Sequence, residues 1–438
     1  MTPSRAPFFD PQLDADAIAY WRFSTAVVAD RLLECAKRAQ EVIRHRVPLG
    51  VFYGYVLELP ASRLRYESHL DYERVFSSPD LDFFVSPTSY QGRQPGGADG
   101  VMMLVDSLRL RGKQAWLELD HRTYLVNDPS KAINPGRSAI WKGHKNETES
   151  IGVLRRGFAA ALIYGMPVWW FDMFGGWYDS PGIMAETARM QQISNQLATR
   201  SRSHAEVAVL VDEDSMWYLG GPYASLVLRD QRAGLWRMGA PCEFYSTLDL
   251  PKLDLSRFKL VFLPNLFNLT PEKRRWLEEK VLRDERHVVW GFGSGIISDG
   301  RYDLKNIEKL TGIPVDAIRP LSDPLQITHK KMDVWTSVYA SRPNLPADVL
   351  RSLARAAGVH IYNDAGDVIY ANNILLAVHS AEGGERTFRL PQAAQVVELF
   401  SGRTVSEQPT KQFTDTLPAM STYLYQLRPA KRPMDQQE

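Results

Sequence analysis

The segment 114–125, QAWLELDHRTYL, follows a short apolar alternation with two carboxylates, a histidine and an arginine. Read with the period of a strand, Ala115, Leu117 and Leu119 share one face, while Trp116, Glu118 and Asp120 share the other. Carboxylates grouped with a tryptophan at a strand end suit nucleophilic or acid–base work beside an apolar ring face. Comparable groups recur along the first half of the chain: Tyr53, Tyr55 and Glu58; Ser86, Tyr90 and Arg93; Asp172, Trp177 and Asp179. His121 and Arg122 could hold a phosphate or carboxylate, and Arg122 can equally pair with Asp120 or Asp172. Trp169, Trp170 and Trp177 could stack on a sugar, but alternation sends at least one of the adjacent pair into the core.

Each group follows a strand-like run: VPLGVFYGYVLEL, then LDFFVSPTSY at 81–90, the segment 114–125, and MPVWWFDMFGGWY at 166–178. A long amphipathic helix over 15–46 precedes them. Between them GVMMLVDSLRLRGK and NETESIGVLRRGFAAALIYG read as helices, the second opening with Asn146 and Glu149 in capping-box spacing. A further helix over 181–200 starts with Ser180 as cap and Pro181 in the first turn. Alternating strands and helices predict a parallel sheet, and polar groups gathered after the carboxyl ends of its strands sit where a (β/α) barrel keeps its active site. From about 204 the alternation restarts as HAEVAVLVDE, PCEFYST, FKLVFLPN and HVVWGFGSG, which predicts a flavodoxin-like α/β domain over 204–319. GFGSG at 291–295 is not G-x-G-x-x-G and reads as a turn. Strand-like runs dominate 320–438 and predict a small β-sandwich.

Composition narrows the chemistry. The chain has 438 residues, enough for two or three domains, and its 52 Lys and Arg nearly cancel 51 Asp and Glu. No global basic field for nucleic acid exists. Cys35 and Cys242 are far apart and outside any metal-ligand spacing, so neither a disulfide framework, a metal nor another cofactor is expected. The absence of a membrane-length apolar run or signal-like leader predicts a cytoplasmic protein without a membrane partner. No G-x-S-x-G elbow supports a serine hydrolase.

The strand-end glutamate of WLELDHRT, the aromatic MPVWWFDMFGGWY, and the sequel of α/β domain and β-domain resemble the family-42 glycoside hydrolases, the β-galactosidase family. The resemblance implies the C-terminal half of a TIM (β/α)8 barrel over 1–203, an amidotransferase-like domain of trimerisation type over 204–319, and the β-sandwich. It implies retaining hydrolysis of β-linked glycosides such as β-galactosides, with Glu118 in the nucleophile's place on the penultimate strand. The family's acid/base lies on the fourth strand and has no match here; a barrel's first half needs roughly another 100 residues of a whole of about 250. Retaining hydrolysis requires two carboxyls about 5–5.5 Å apart, and within this chain Glu58 is the first candidate for the second, ahead of Asp120 and Asp172. Substrate contacts are expected from Tyr53, Tyr55, Tyr90, Arg93, Asp120, His121, Arg122, Trp170, Asp172 and Trp177. The implied partners are a carbohydrate substrate and either further copies of the chain, as dimer or trimer, or a chain supplying the first half-barrel. The alternative function is a non-catalytic carbohydrate-binding or assembly subunit. Glutaminase activity is not expected, because it needs a thiol on a strand-to-helix turn and Cys242 begins a strand.

Overall fold

The computed structural model describes residues 2–127, 143–197 and 202–429. Its first sheet contains β1 (Gly50–Phe52), β2 (Phe83–Pro87), β3 (Gln114–Leu119) and β4 (Val168–Trp170), all parallel and adjacent in chain order. Helices carry the chain back after each strand, among them Val105–Leu110 and Glu147–Ile163. The Asn146 side chain caps the latter by accepting from the Glu149 backbone N–H, and Ser180 caps Pro181–Gln196 by accepting from Ile183. A 29-residue helix, Ala15–Ile43, precedes β1.

The two faces of this sheet differ sharply. Phe84, Ser86, Ala115, Leu117 and Leu119 are buried on the face packed against the helices. On the other face the parallel register aligns Phe52, Val85 and Trp116 in one row, and Pro87, Glu118 and Trp169 in the next. Among the described residues β1 and β4 each have one strand neighbour, so the sheet has two open edges.

The second sheet has the order Ile327–Lys331, Thr336–Ala340, His287–Trp290, Leu260–Leu263, Val207–Val211, Cys242–Ser246. All pairs are parallel except the hairpin of the first two strands. Val207–Val211 is buried at every position, as befits a strand covered on both faces. The first strand of the domain lies inside the sheet with its second on one side and its third on the other, the flavodoxin-like arrangement. The hairpin 327–340 extends this sheet, so the α/β layer runs past residue 319 into the stretch expected to be a sandwich.

The C-terminal strands form one antiparallel sheet of five, not two facing sheets. Its long strands Gly384–Glu398 and Thr404–Leu417 change register between Arg389 and Val397, and such bulges bend the sheet about its own apolar cluster of Phe388, Phe413 and Tyr425. This sheet also leans on the helix Glu147–Ile163, where Thr422 donates to the Gly152 carbonyl at 2.6 Å. A Cβ at Gly152 would stand 2.3 Å from the Met420 carbonyl oxygen, so the close approach requires glycine. Among the described residues no helix is long and apolar enough to cross a membrane.

Candidate active site

Glu118 ends β3 on the face away from the helices and is only 7% exposed. Burial, then the nearby Asp120 charge, raise its carboxyl from 4.5 to about 7, against the opposing influence of a Trp169 hydrogen bond and the Arg93 charge. Trp169 comes to its side because the register pairs it with Glu118 across β3 and β4. Below them lies an aromatic floor: Phe83 stacks on Trp116 with centroids 4.4 Å apart, Trp116 meets Trp169 at 6.0 Å, and Trp169 meets Phe52 at 6.4 Å. Phe52 is 51% exposed.

Asp120 anchors a buried charge network beside Glu118. Arg93 pairs with one of its oxygens at 2.8 Å and Arg122 with the other at 3.2 Å. Arg93 also donates to the Thr88 carbonyl at 2.7 Å and lies 4.6 Å from the Tyr90 ring centre; Arg122 lies 4.4 Å from that of Trp177. Tyr55 donates to the Val85 carbonyl at 3.2 Å, and burial together with Tyr90, Glu118 and Asp120 pushes its phenol far up. The phenol of Tyr90 is raised by burial and by Asp120. Glu118, Asp120, Tyr55, Tyr90, Arg93 and Arg122 therefore share one polar site at the carboxyl ends of β1 to β3.

The other expected site residues lie elsewhere. Glu58 is turned away and fully engaged: one oxygen pairs with Arg232 at 2.7 Å and accepts from Ser89 at 2.6 Å, and the other accepts from the Tyr90 backbone at 3.1 Å. A carboxylate so held fixes the 88–90 turn to the α/β domain and is not placed to donate protons. His121 has no exposure; its Nε2 meets Asp99 at 3.0 Å, and Asp99 pairs with Arg156 at 2.5 Å. Both partners hold the Asp99 carboxyl far below its usual range despite burial, and burial lowers the imidazole of His121. Tyr53 is buried, accepting from the Asp71 backbone at 3.0 Å. Trp170 faces the helices, in a cleft with Phe158 and Met190, so the substrate-contact role expected of it does not fit. Trp177 is fully buried and backs Arg122, with no free ring face for a sugar. Asp172 accepts from the Trp177 backbone at 2.9 Å and leaves its second oxygen without a partner.

Sequence reasoning passed over Phe52 and Phe83 as site residues and named Trp169 only among three tryptophans that could stack on a sugar. Alternation puts Trp116 on the face of Glu118, but only the register between strands selects Trp169 over Trp170.

Comparison with solved structures supplies the wider frame. The β-galactosidase from Bacillus circulans sp. alkalophilus superposes with a TM-score of 0.63 at 17% identity, covering 94% of this chain and 68% of that one. The β-galactosidase from Rahnella sp. R3 gives 0.63 at 15% identity with the same coverage, and a GH42 β-galactosidase from G. stearothermophilus gives 0.61 at 14%, again over 94% and 68%. The chain has the fold of these β-galactosidases. No family model matches it, and no curated protein does. Within the β-galactosidase fold nearly all of this chain finds a counterpart, while about a third of each of those chains finds none here.

Proposed function

We propose that β1 to β4 are the second half of a (β/α)8 glycosidase barrel and that Glu118 is the nucleophile of retaining hydrolysis of β-linked glycosides such as β-galactosides. The observation that carries this reading is Glu118 itself: a buried strand-end carboxyl standing above an aromatic floor within a chain of β-galactosidase fold. A carboxylate on one side of the anomeric carbon must be matched by a proton donor on the other. Glu58 is committed to Arg232, Asp120 to Arg93 and Arg122, and Asp172 to the Trp177 backbone through one oxygen, so we place the donor on a complementary half-barrel that closes onto the open edges of β1 and β4.

The test uses p-nitrophenyl β-galactoside and the chain joined with a four-unit half-barrel, encoded beside it or taken from a β-galactosidase of the same fold. Glu118→Gln is expected to cut turnover by about a thousandfold or more while leaving the circular dichroism unchanged. Azide distinguishes the roles. With Glu118→Ala it should restore activity and yield the α-glycosyl azide, because it attacks from the face the carboxylate vacated. A β-azide would make Glu118 the proton donor instead, and full activity in Glu118→Gln would remove it from the chemistry.

A further inference from the structure

A second crevice lies outside this site, at the carboxyl ends of the strands of the α/β domain, with a volume of about 370 Å³. The segment 70–73 covers it from the N-terminal side. It opens beside Val207–Val211, where the chain goes to one side of the sheet for its second strand and to the other for its third. In open α/β sheets such a switch point is where ligands bind.

Glu213 lines this crevice and is 3% exposed. One of its oxygens accepts from Ser246 at 2.6 Å; the other has no hydrogen-bond partner. An orphaned buried oxygen is costly, and natural interiors leave few of them. The neighbouring charges are already matched. Asp212 pairs with Lys273 at 2.7 Å, Asp214 with Arg22 at 2.7 Å, Asp71 with Arg74 at 2.8 Å, and Glu73 with Arg111. Among the described residues that line this crevice Glu213 and the rim residue Glu272 have no ion pair, so these two carboxyls are the ones left without a cation. Trp276 and Trp217 supply apolar walls, the Trp217 ring already carrying the Arg22 guanidinium 6.0 Å from its centre.

We propose that this crevice binds an organic cation, an alkylammonium or alkylguanidinium group, with Glu213 as its buried counter-charge and the two tryptophans as its walls. The bound N–H donates to the oxygen that the protein leaves unpartnered. Burial, then Asp212, raise the Glu213 carboxyl to about 8, against Ser246 and Lys273; Asp214 and the Tyr72 phenol also face it. Cation binding at pH 7 therefore ionises Glu213 and releases a proton, and affinity strengthens as pH rises through about 8.

Calorimetric titration of the full chain with n-butylguanidinium, n-butylammonium and neutral n-butylurea tests this. The cations should bind at least tenfold more tightly than the urea. Repeating the titration in buffers of different protonation enthalpy should show proton release at pH 7 that fades by pH 9. Glu213→Gln retains the acceptor for Ser246 and should lose tenfold or more in cation affinity. Equal binding of the urea, no binding of either cation, or no proton release by the wild-type chain would overturn the proposal, the last without reliance on any variant's folding. None of these readouts depends on the role of Glu118.

Discussion

Glu118 shows how a single carboxyl reports its surroundings. Its folded-state pKa of about 7 lies above the ordinary 4.5, chiefly through burial and then through Asp120. The folded state thus favours the protonated form, and the stability this provides is complete below about 4.5 and is lost as pH rises through 7. Glu118→Gln cannot ionise, so it should melt higher than the wild type at pH 8 and level with it at pH 4.5. Each kcal/mol relieved should appear as about 1 °C for a chain of 438 residues that melts as one unit. Scanning calorimetry of both proteins at the two pH values checks this, and an equal difference at both would show that ionisation is not the cause. Stability gained by removing a buried charge is what a residue held for chemistry rather than packing leads one to expect.

At the scale of elements, the same physics decides what a sequence reveals. The alternation in QAWLEL is local, and the structure buries Ala115, Leu117 and Leu119 against helices while Glu118 and Trp116 take the other face. The Asn146 and Ser180 caps are likewise local and visible in short spacing. Glu58 was not readable in this way. It stands six residues beyond the end of β1, and its partner Arg232 is 174 residues away. His121 belongs with Asp99 and Arg156 for the same reason: tertiary ion pairs leave no mark on local periodicity. The hairpin 327–340 has ordinary strand chemistry, and nothing within it says which sheet it joins. One consequence of strand register is testable at Gly50. A Cβ there would fall 2.1–2.4 Å from ring atoms of Phe83, which stacks on Trp116. Gly50→Ala should displace that ring, change the near-ultraviolet circular dichroism and cost about 1–3 kcal/mol. An unchanged spectrum and melting temperature would show that the floor is not fixed by this contact.

Across the whole molecule the apolar surface is unevenly distributed. Among the described residues, the exposed large apolar side chains are Leu13, Tyr20, Phe23, Val27, Val28, Val42, Val47, Phe52, Tyr66, Leu110, Met173, Phe174 and Met184 in the N-terminal part, with Val334 alone beyond residue 204. Tyr20, Phe23 and Val27 recur at helical spacing on the long first helix, Val47 and Phe52 adjoin the open edge of β1, and Met173 and Phe174 follow β4. We propose that the exposed apolar side chains beside the unpaired strand edges belong to an interface. We expect a second copy of the chain to fit here less well than a different partner. Two copies would bring two sets of Phe52, Phe83, Trp116 and Trp169 into one barrel interior, whereas such interiors are filled by three layers of four mostly branched aliphatic side chains. Overpacking of that kind is destabilising by itself. The complement we expect is a non-identical half-barrel with small or aliphatic inner residues. Alone, the chain should bind a hydrophobic dye and sediment as a concentration-dependent mixture. With the complementary half-barrel it should form a one-to-one complex that no longer binds the dye, and Phe52→Asp, which puts a charge into the closed interior, should weaken that complex at least tenfold. A dye-free monomer at high concentration would remove the interface, and a defined homodimer weakened by Phe52→Asp would make the second copy the true occupant.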